Sequence, residues 1–194
     1  MTNEQSQSVV VKLEDSDISG AIGADGIPMA LADKQDRTYD IVVSANQLDN
    51  MRKQAVVKVG VPGTSVFSIT CDEGPALGGD DTAPAPLAYF CASIAFCMLT
   101  QVARYAKMTK LKVASMRLEQ SMRFSMSGSM VAGTMQCGVV GLSQRLIIES
   151  DEPEDQVRKM VRMGKQTCYI HSALANPIPT TTEVELNGSA LDIG

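Results

Sequence analysis

The sequence predicts an α+β protein in which antiparallel sheets pack around a central buried helix, and three stretches carry that expectation. Residues 114–126 alternate apolar and polar side chains with a period of two, as a strand with one buried and one wet face does. Residues 87–99, LAYFCASIAFCML, are the most apolar run in the chain, and wound as a helix they are apolar on nearly all sides. Residues 55–70, AVVKVGVPGTSVFSIT, hold two β-branched runs joined by Pro62 and Gly63, the composition of a hairpin. At 194 residues the chain is long enough for one proper core and short for two, so one domain is expected over residues 51–194, preceded by an arm or extension over residues 1–50.

Along the chain, the arm mixes acidic and small residues and offers one plausible strand at residues 39–44. After the hairpin comes a polar turn, CDEGPALGGDD, and then the central helix. Pro86 suits its first turn, where a missing N–H costs nothing, and Thr82 or Asp81 stands near the cap. Phe90, Ile94, Cys97 and Gln101 fall on one stripe and Leu87, Cys91, Met98 and Val102 on the adjoining one, so the helix is expected to be surrounded by protein. Cys91 and Cys97 point roughly 120° apart, at about 100° per residue, so only one of them can face a given site.

The period-two stretch places Ala114, Met116, Leu118, Gln120, Met122, Phe124 and Met126 on one face. The small-residue loop SGSMVAGTMQCG then leads into a returning strand over residues 139–149. The methionines read as gap-filling core or subunit interface rather than a cofactor site. A second helix opens at SDEPEDQ, with acids in its first turn and Pro153 near its first position. Val157, Met160, Val161, Gly164 and Cys168 recur at helical spacing, which brings Cys168 to the end of its buried face. TTTEVEL closes the sequence as a last strand.

Composition narrows the function. A formal net charge of −5, with no Lys/Arg cluster longer than two, gives no electrostatic footprint for nucleic acid or an anionic membrane. The apolar run at residues 87–99 is shorter than the ~20 residues a bilayer span requires, so a buried core helix is expected and no membrane partner. The start, MTNEQSQSVV, has no basic segment followed by an apolar one, so no signal peptide is read and a cytoplasmic location is expected, with the five cysteines as reduced thiols. The single histidine, His171, lies three residues from Cys168, which is no zinc spacing, so neither a metal nor another cofactor is expected. Cys71 and Cys137 carry no constellation.

GGDDTAPAPLAYFCASIAFC resembles the OsmC/Ohr family, the osmotically induced and organic hydroperoxide resistance proteins. The shared pattern is a GG-acid-D turn, a proline-rich helix start, and a buried helix with a cysteine eleven residues after the proline. That places Pro86 against Cys97 and leaves Cys91 outside the motif. TCYIHSALANPIP resembles the family's second cysteine segment, with Cys168 at the key position and Tyr169 where proline is usual; the likeness spans about residues 51–188.

The resemblance implies a thiol peroxidase acting on organic hydroperoxides, built as an intertwined homodimer with sites at the subunit interface and reset by an external dithiol. Cys97 would attack the peroxide to give a sulfenic acid, and Cys168 would condense with it to a disulfide. A thiol of pKa ~8.5 is only about 3% thiolate at pH 7, so Cys97 requires a cation nearby. Family peroxidases take an arginine from an N-terminal strand, held by a glutamate just after the helix-starting proline. Here Leu87 and Ala88 stand at the glutamate's place. Arg52 is the first candidate for the arginine and Arg37 the second, while Arg104 reads as a solvated residue at the helix end. His171 is either an auxiliary activating group or a hydrogen-bonded structural histidine. Phe90 and Ile94, with the methionine face, would wall the substrate site. The other readings are a non-peroxidatic OsmC-like protein that binds a small apolar ligand or senses redox state, and Cys97 and Cys168 as merely small buried hydrophobes.

Overall fold

The computed structural model describes residues 8–14 and 38–193, in two compact units that divide between Tyr89 and Phe90. The first unit is a four-stranded antiparallel sheet of β1 (Val10–Leu13), β2 (Ile41–Asp49), β3 (Arg52–Val59) and β4 (Val66–Cys71), in the order β1-β4-β3-β2. The expected hairpin is β3–β4. The strand expected at residues 39–44 runs on to Asp49, because each of its residues from Ile41 to Gln47 finds a partner on β3. The stretch expected as an arm thus supplies two strands of this sheet.

The polar turn after β4 is organised by Asp72, which is 1% exposed. Its carboxylate accepts from the backbone N–H groups of Glu73, Asp80 and Thr82 and from the Thr82 hydroxyl. These donors, Thr82's above all, hold the Asp72 carboxyl below its ordinary value. Gly79 is required here, since a Cβ on it would lie 1.8 Å from the Glu73 carbonyl oxygen. Thr82 is therefore spent on the turn rather than on capping the helix that follows.

That helix, α1 (Pro86–Thr109), begins at the expected proline. It stops where Lys110 takes a left-handed φ of 59°, with Leu111 N–H bonded to Ala106 O and Lys110 N–H to Lys107 O. By length and composition α1 could cross a bilayer. In this fold Met98, Val102 and Ala106 instead join Met160 and Cys168 as the buried core of the second unit. The expectation of a helix enclosed on all sides needs correction: its buried residues form one stripe, Ile94, Met98, Gln101, Val102 and Ala106, while Leu87 is 53% and Phe96 67% exposed. Apolar composition reports that every side could be covered, not that this chain covers it.

The period-two segment is β5 (Ser115–Ser127), paired antiparallel with β6 (Gln136–Glu149). Met116 faces Ile148, Leu118 faces Leu146 and Met122 faces Leu142 across the pair. Burial alternates along β5 only as far as Met122, and beyond it the hairpin is exposed on both faces. Helix α2 (Glu154–Gln166) has Glu154 and Asp155 in its first turn, Pro153 just ahead of it, and Met160 and Gly164 buried. A short helix not expected from sequence, α3 (Tyr169–Ala175), follows directly, with Cys168 as its N-cap residue. The closing strand is confined to β7 (Val184–Leu186), which turns through Asn187-Gly188, both at positive φ, into β8 (Ser189–Leu191).

Candidate active site

The site forms where α1, α2, α3 and the β5–β6 pair meet in the second unit. Helices α1 and α2 come unusually close: a Cβ on Gly164 would lie 2.4 Å from Val102 Cγ2 and 3.1 Å from the Val102 Cα. Val102 lies shortly after Cys97 in α1, and Gly164 shortly before Cys168. The missing side chain is what lets the two cysteine-bearing segments approach. The result is a Cys97 Sγ to Cys168 Sγ separation of 3.1 Å, with both thiols free. Cys91, about 120° around α1 from Cys97, contributes no sulfur to this pair.

Cys168 is 1% exposed. Burial pushes its thiol up from the ordinary value; the His171 backbone N–H, and to a lesser degree that of Ile170, acts against this, while the Cys97 sulfur adds to the rise. His171, one turn along α3, places Nδ1 3.1 Å from Cys168 Sγ. Burial, and secondarily the charge of Lys165, lowers its pKa below the ordinary value of 6.5. The Cys168–His171 pair is therefore a neutral thiol beside a neutral imidazole at neutral pH.

Behind the histidine lies a polar line across the apolar face of the β5–β6 pair. His171 Nε2 is 2.7 Å from Gln144 Oε1, Gln144 Nε2 donates to Gln120 Oε1 at 3.1 Å, and Gln120 Nε2 donates to the Cys91 carbonyl oxygen at 2.6 Å. Gln120 and Gln144 are direct partners in the β5–β6 register. Sequence reasoning missed both as site residues. The available signal was Gln120, a polar side chain on the face otherwise built of Met, Leu and Phe.

An open pocket of about 700 Å³ adjoins His171, floored by Met122, Val139, Leu142, Leu174 and Ala175, with Arg162 and Lys165 among its other lining residues. Phe90 and Ile94 do not line it; Ile94 is fully buried and Phe90 exposed. Of the candidate cations, Arg52 opens β3 in the first unit and pairs with Asp49 at 2.8 Å, while its Nε has no hydrogen-bond partner among the described residues. Arg104 donates to Gln101, and Arg37 lies outside the described residues. Among the described residues no group of three or more His, Cys, Asp and Glu is placed to hold a metal ion.

Comparison with known proteins bears on the fold and the family. The fold is similar to an OsmC-like hydroperoxide resistance protein from Jannaschia sp. CCS1, at 21% identity and a TM-score of 0.52, covering 78% of this chain and 98% of that one. It is similar also to an OsmC-like protein from Mycoplasma pneumoniae, at 18% identity and a TM-score of 0.50 over 74% and 91% of the two chains. An organic hydroperoxide resistance protein OsmC from Legionella pneumophila matches at 14% identity and a TM-score of 0.50, over 72% and 91%. At such identities the likeness is one of fold. No curated protein sequence matches. Residues 78–183, more than half of the chain and including both Cys97 and Cys168, match the family described as OsmC-like protein. The chain belongs to the OsmC-like family.

Proposed function

We propose that this protein is a thiol peroxidase that reduces organic hydroperoxides, works as a homodimer in a reducing cytoplasm, and is reset by an external dithiol. The observation that carries the reading is the 3.1 Å between Cys97 and Cys168, sulfurs brought together from 71 residues apart. A disulfide needs an S–S distance of about 2.05 Å, so closure asks for roughly an ångström of movement. As thiolate, Cys97 attacks the terminal oxygen of the peroxide, the O–O bond breaks, the sulfur becomes a sulfenic acid, and the departing alkoxide takes a proton from water and leaves as an alcohol. Cys168 then displaces the sulfenic oxygen as water. The apolar floor of the pocket beside His171 favours a greasy peroxide over hydrogen peroxide. Arg52 is proposed as the cation that supports the Cys97 thiolate.

The test is thiol counting with cumene hydroperoxide on fully reduced protein. Two thiols per chain disappear together, Cys168→Ser accumulates a sulfenic acid on Cys97, Cys97→Ser gives no fast phase, and Arg52→Gln slows the first step. A second reading, a non-peroxidatic protein that binds an apolar ligand or senses redox state, is favoured by Leu87 and Ala88 at the place of the family's glutamate. Slow loss spread over all five cysteines is its signature and would end the peroxidase reading.

A further inference from the structure

We infer that Gln144 and Gln120 are positioning residues that hold His171 in the one tautomer able to serve Cys168 as a general base, so that the second thiol is deprotonated as it closes on the first. The inference rests on the peroxidase reading for the reaction it serves, and on the hydrogen-bond line alone for the tautomer.

The line is read from its fixed end. The Cys91 carbonyl can only accept, so the group Gln120 presents to it at 2.6 Å is its amide nitrogen. The Gln120 oxygen then points the other way and receives the Gln144 amide nitrogen at 3.1 Å. That turns the Gln144 oxygen toward His171, and an oxygen at 2.7 Å from Nε2 requires the proton to be on Nε2. In a neutral ring Nδ1 is then bare, and it faces Cys168 Sγ at 3.1 Å. Two amides and one main-chain oxygen leave no freedom at the imidazole. Reversing either amide would set two donors or two acceptors against each other on a half-buried face.

The chemistry needs this base at one step. With the Cys168 thiol pushed up and the imidazole pushed down, no standing ion pair forms, and the proton moves as the sulfur attacks. Cys168 gives its proton to Nδ1, its electron pair forms the S–S bond with Cys97, and the S–O bond of the sulfenic acid breaks. The departing hydroxide takes up a proton and leaves as water. The Cys97 sulfur is reduced by one unit and the Cys168 sulfur oxidised by one, so hydroperoxide is the sole oxidant consumed. The other charged groups lining the pocket beside the imidazole are Arg162 and Lys165, and the charge of Lys165 helps burial keep the ring neutral.

Two measurements test the assignment. Because His171 is the single histidine in the sequence, ¹⁵N-histidine labelling of the full chain gives one pair of ring signals. At a pH where the ring is neutral they should show Nε2 protonated and Nδ1 bare in the unaltered protein, and a mixture in Gln144→Leu. Rapid quench after a single addition of cumene hydroperoxide separates sulfenic-acid formation from disulfide closure. The ratio of closure to formation should fall about 100-fold in His171→Asn and about 10-fold in Gln144→Leu. The tautomer mixture in Gln144→Leu is a signature that a merely structural glutamine pair does not predict. A proton on Nδ1 in the unaltered protein, or closure in His171→Asn as fast as in the parent, overturns the inference. If hydroperoxide forms no sulfenic acid at all, the peroxidase reading fails by itself; closure driven with diamide and the ring signals then decide the tautomer and its base role by the same criteria.

Discussion

His171 has both ring nitrogens committed, one to a thiol and one to an amide oxygen, and is half-buried, which fixes the direction of its response to acid. Its folded pKa lies below the 6.5 of a free side chain, so as pH falls the unfolded chain takes up the proton first. The stability contributed by the neutral ring is present above that ordinary value and is lost as pH drops toward the folded one. Urea midpoints measured between about pH 7 and pH 5 should therefore fall more steeply for the parent than for His171→Asn, whose side chain does not titrate. Parallel slopes would show that the ring is not held neutral. At this scale Cys97 and Cys168 were legible in the sequence, because each sits at a definite place in a spaced motif. Gln144 was not. It matters only through its pairing with Gln120, and a cross-strand register depends on the turn and bulge between the strands, here a shift at Arg123/Phe124, which side-chain periodicity does not report.

The helices and strands were read well where a period was long. The alternation of β5, the apolar length of α1 and the acidic start of α2 each span several turns or pleats of one pattern. Helix α3 was missed because seven residues hold too few repeats to separate a helical period from a loop. Distance between elements is invisible in a sequence, and the contact of α1 with α2 at Gly164 is the case that matters here. On an exposed helix Gly→Ala stabilises by about 1 kcal/mol. At Gly164 the added methyl meets the β-branched and fully buried Val102, so the sign reverses. Gly164→Ala should cost about 1–3 kcal/mol of stability, read from urea midpoints. It should also slow disulfide closure, since pushing α2 away from α1 carries Cys168 from Cys97. A variant as stable as the parent would mean that the helices part without cost.

Among the described residues, many large apolar side chains are left exposed. Phe96 on α1 and Met126, Val139 and Val140 on the outer half of the β5–β6 hairpin are all well exposed. A second copy is the proposed cover. Light scattering on the purified protein should give twice the chain mass, and Phe96→Glu should shift it toward a single chain; a parent already at single-chain mass at micromolar concentration would exclude the dimer. The fold class was legible at this scale, since alternating strands and one apolar helix admit few packings, whereas under the proposed dimer what lies against the exposed face of that helix is set by a second chain. One component of the site would escape even a complete alanine scan. The anchor that orients Gln120 is main chain at Cys91, so residue 91 can lose its side chain while its oxygen stays in place. Helical phase is what it cannot change: a residue inserted between positions 91 and 97 would rotate the first thiol by about 100° relative to the anchor. Such an insertion would uncouple proton from sulfur with every named side chain still present.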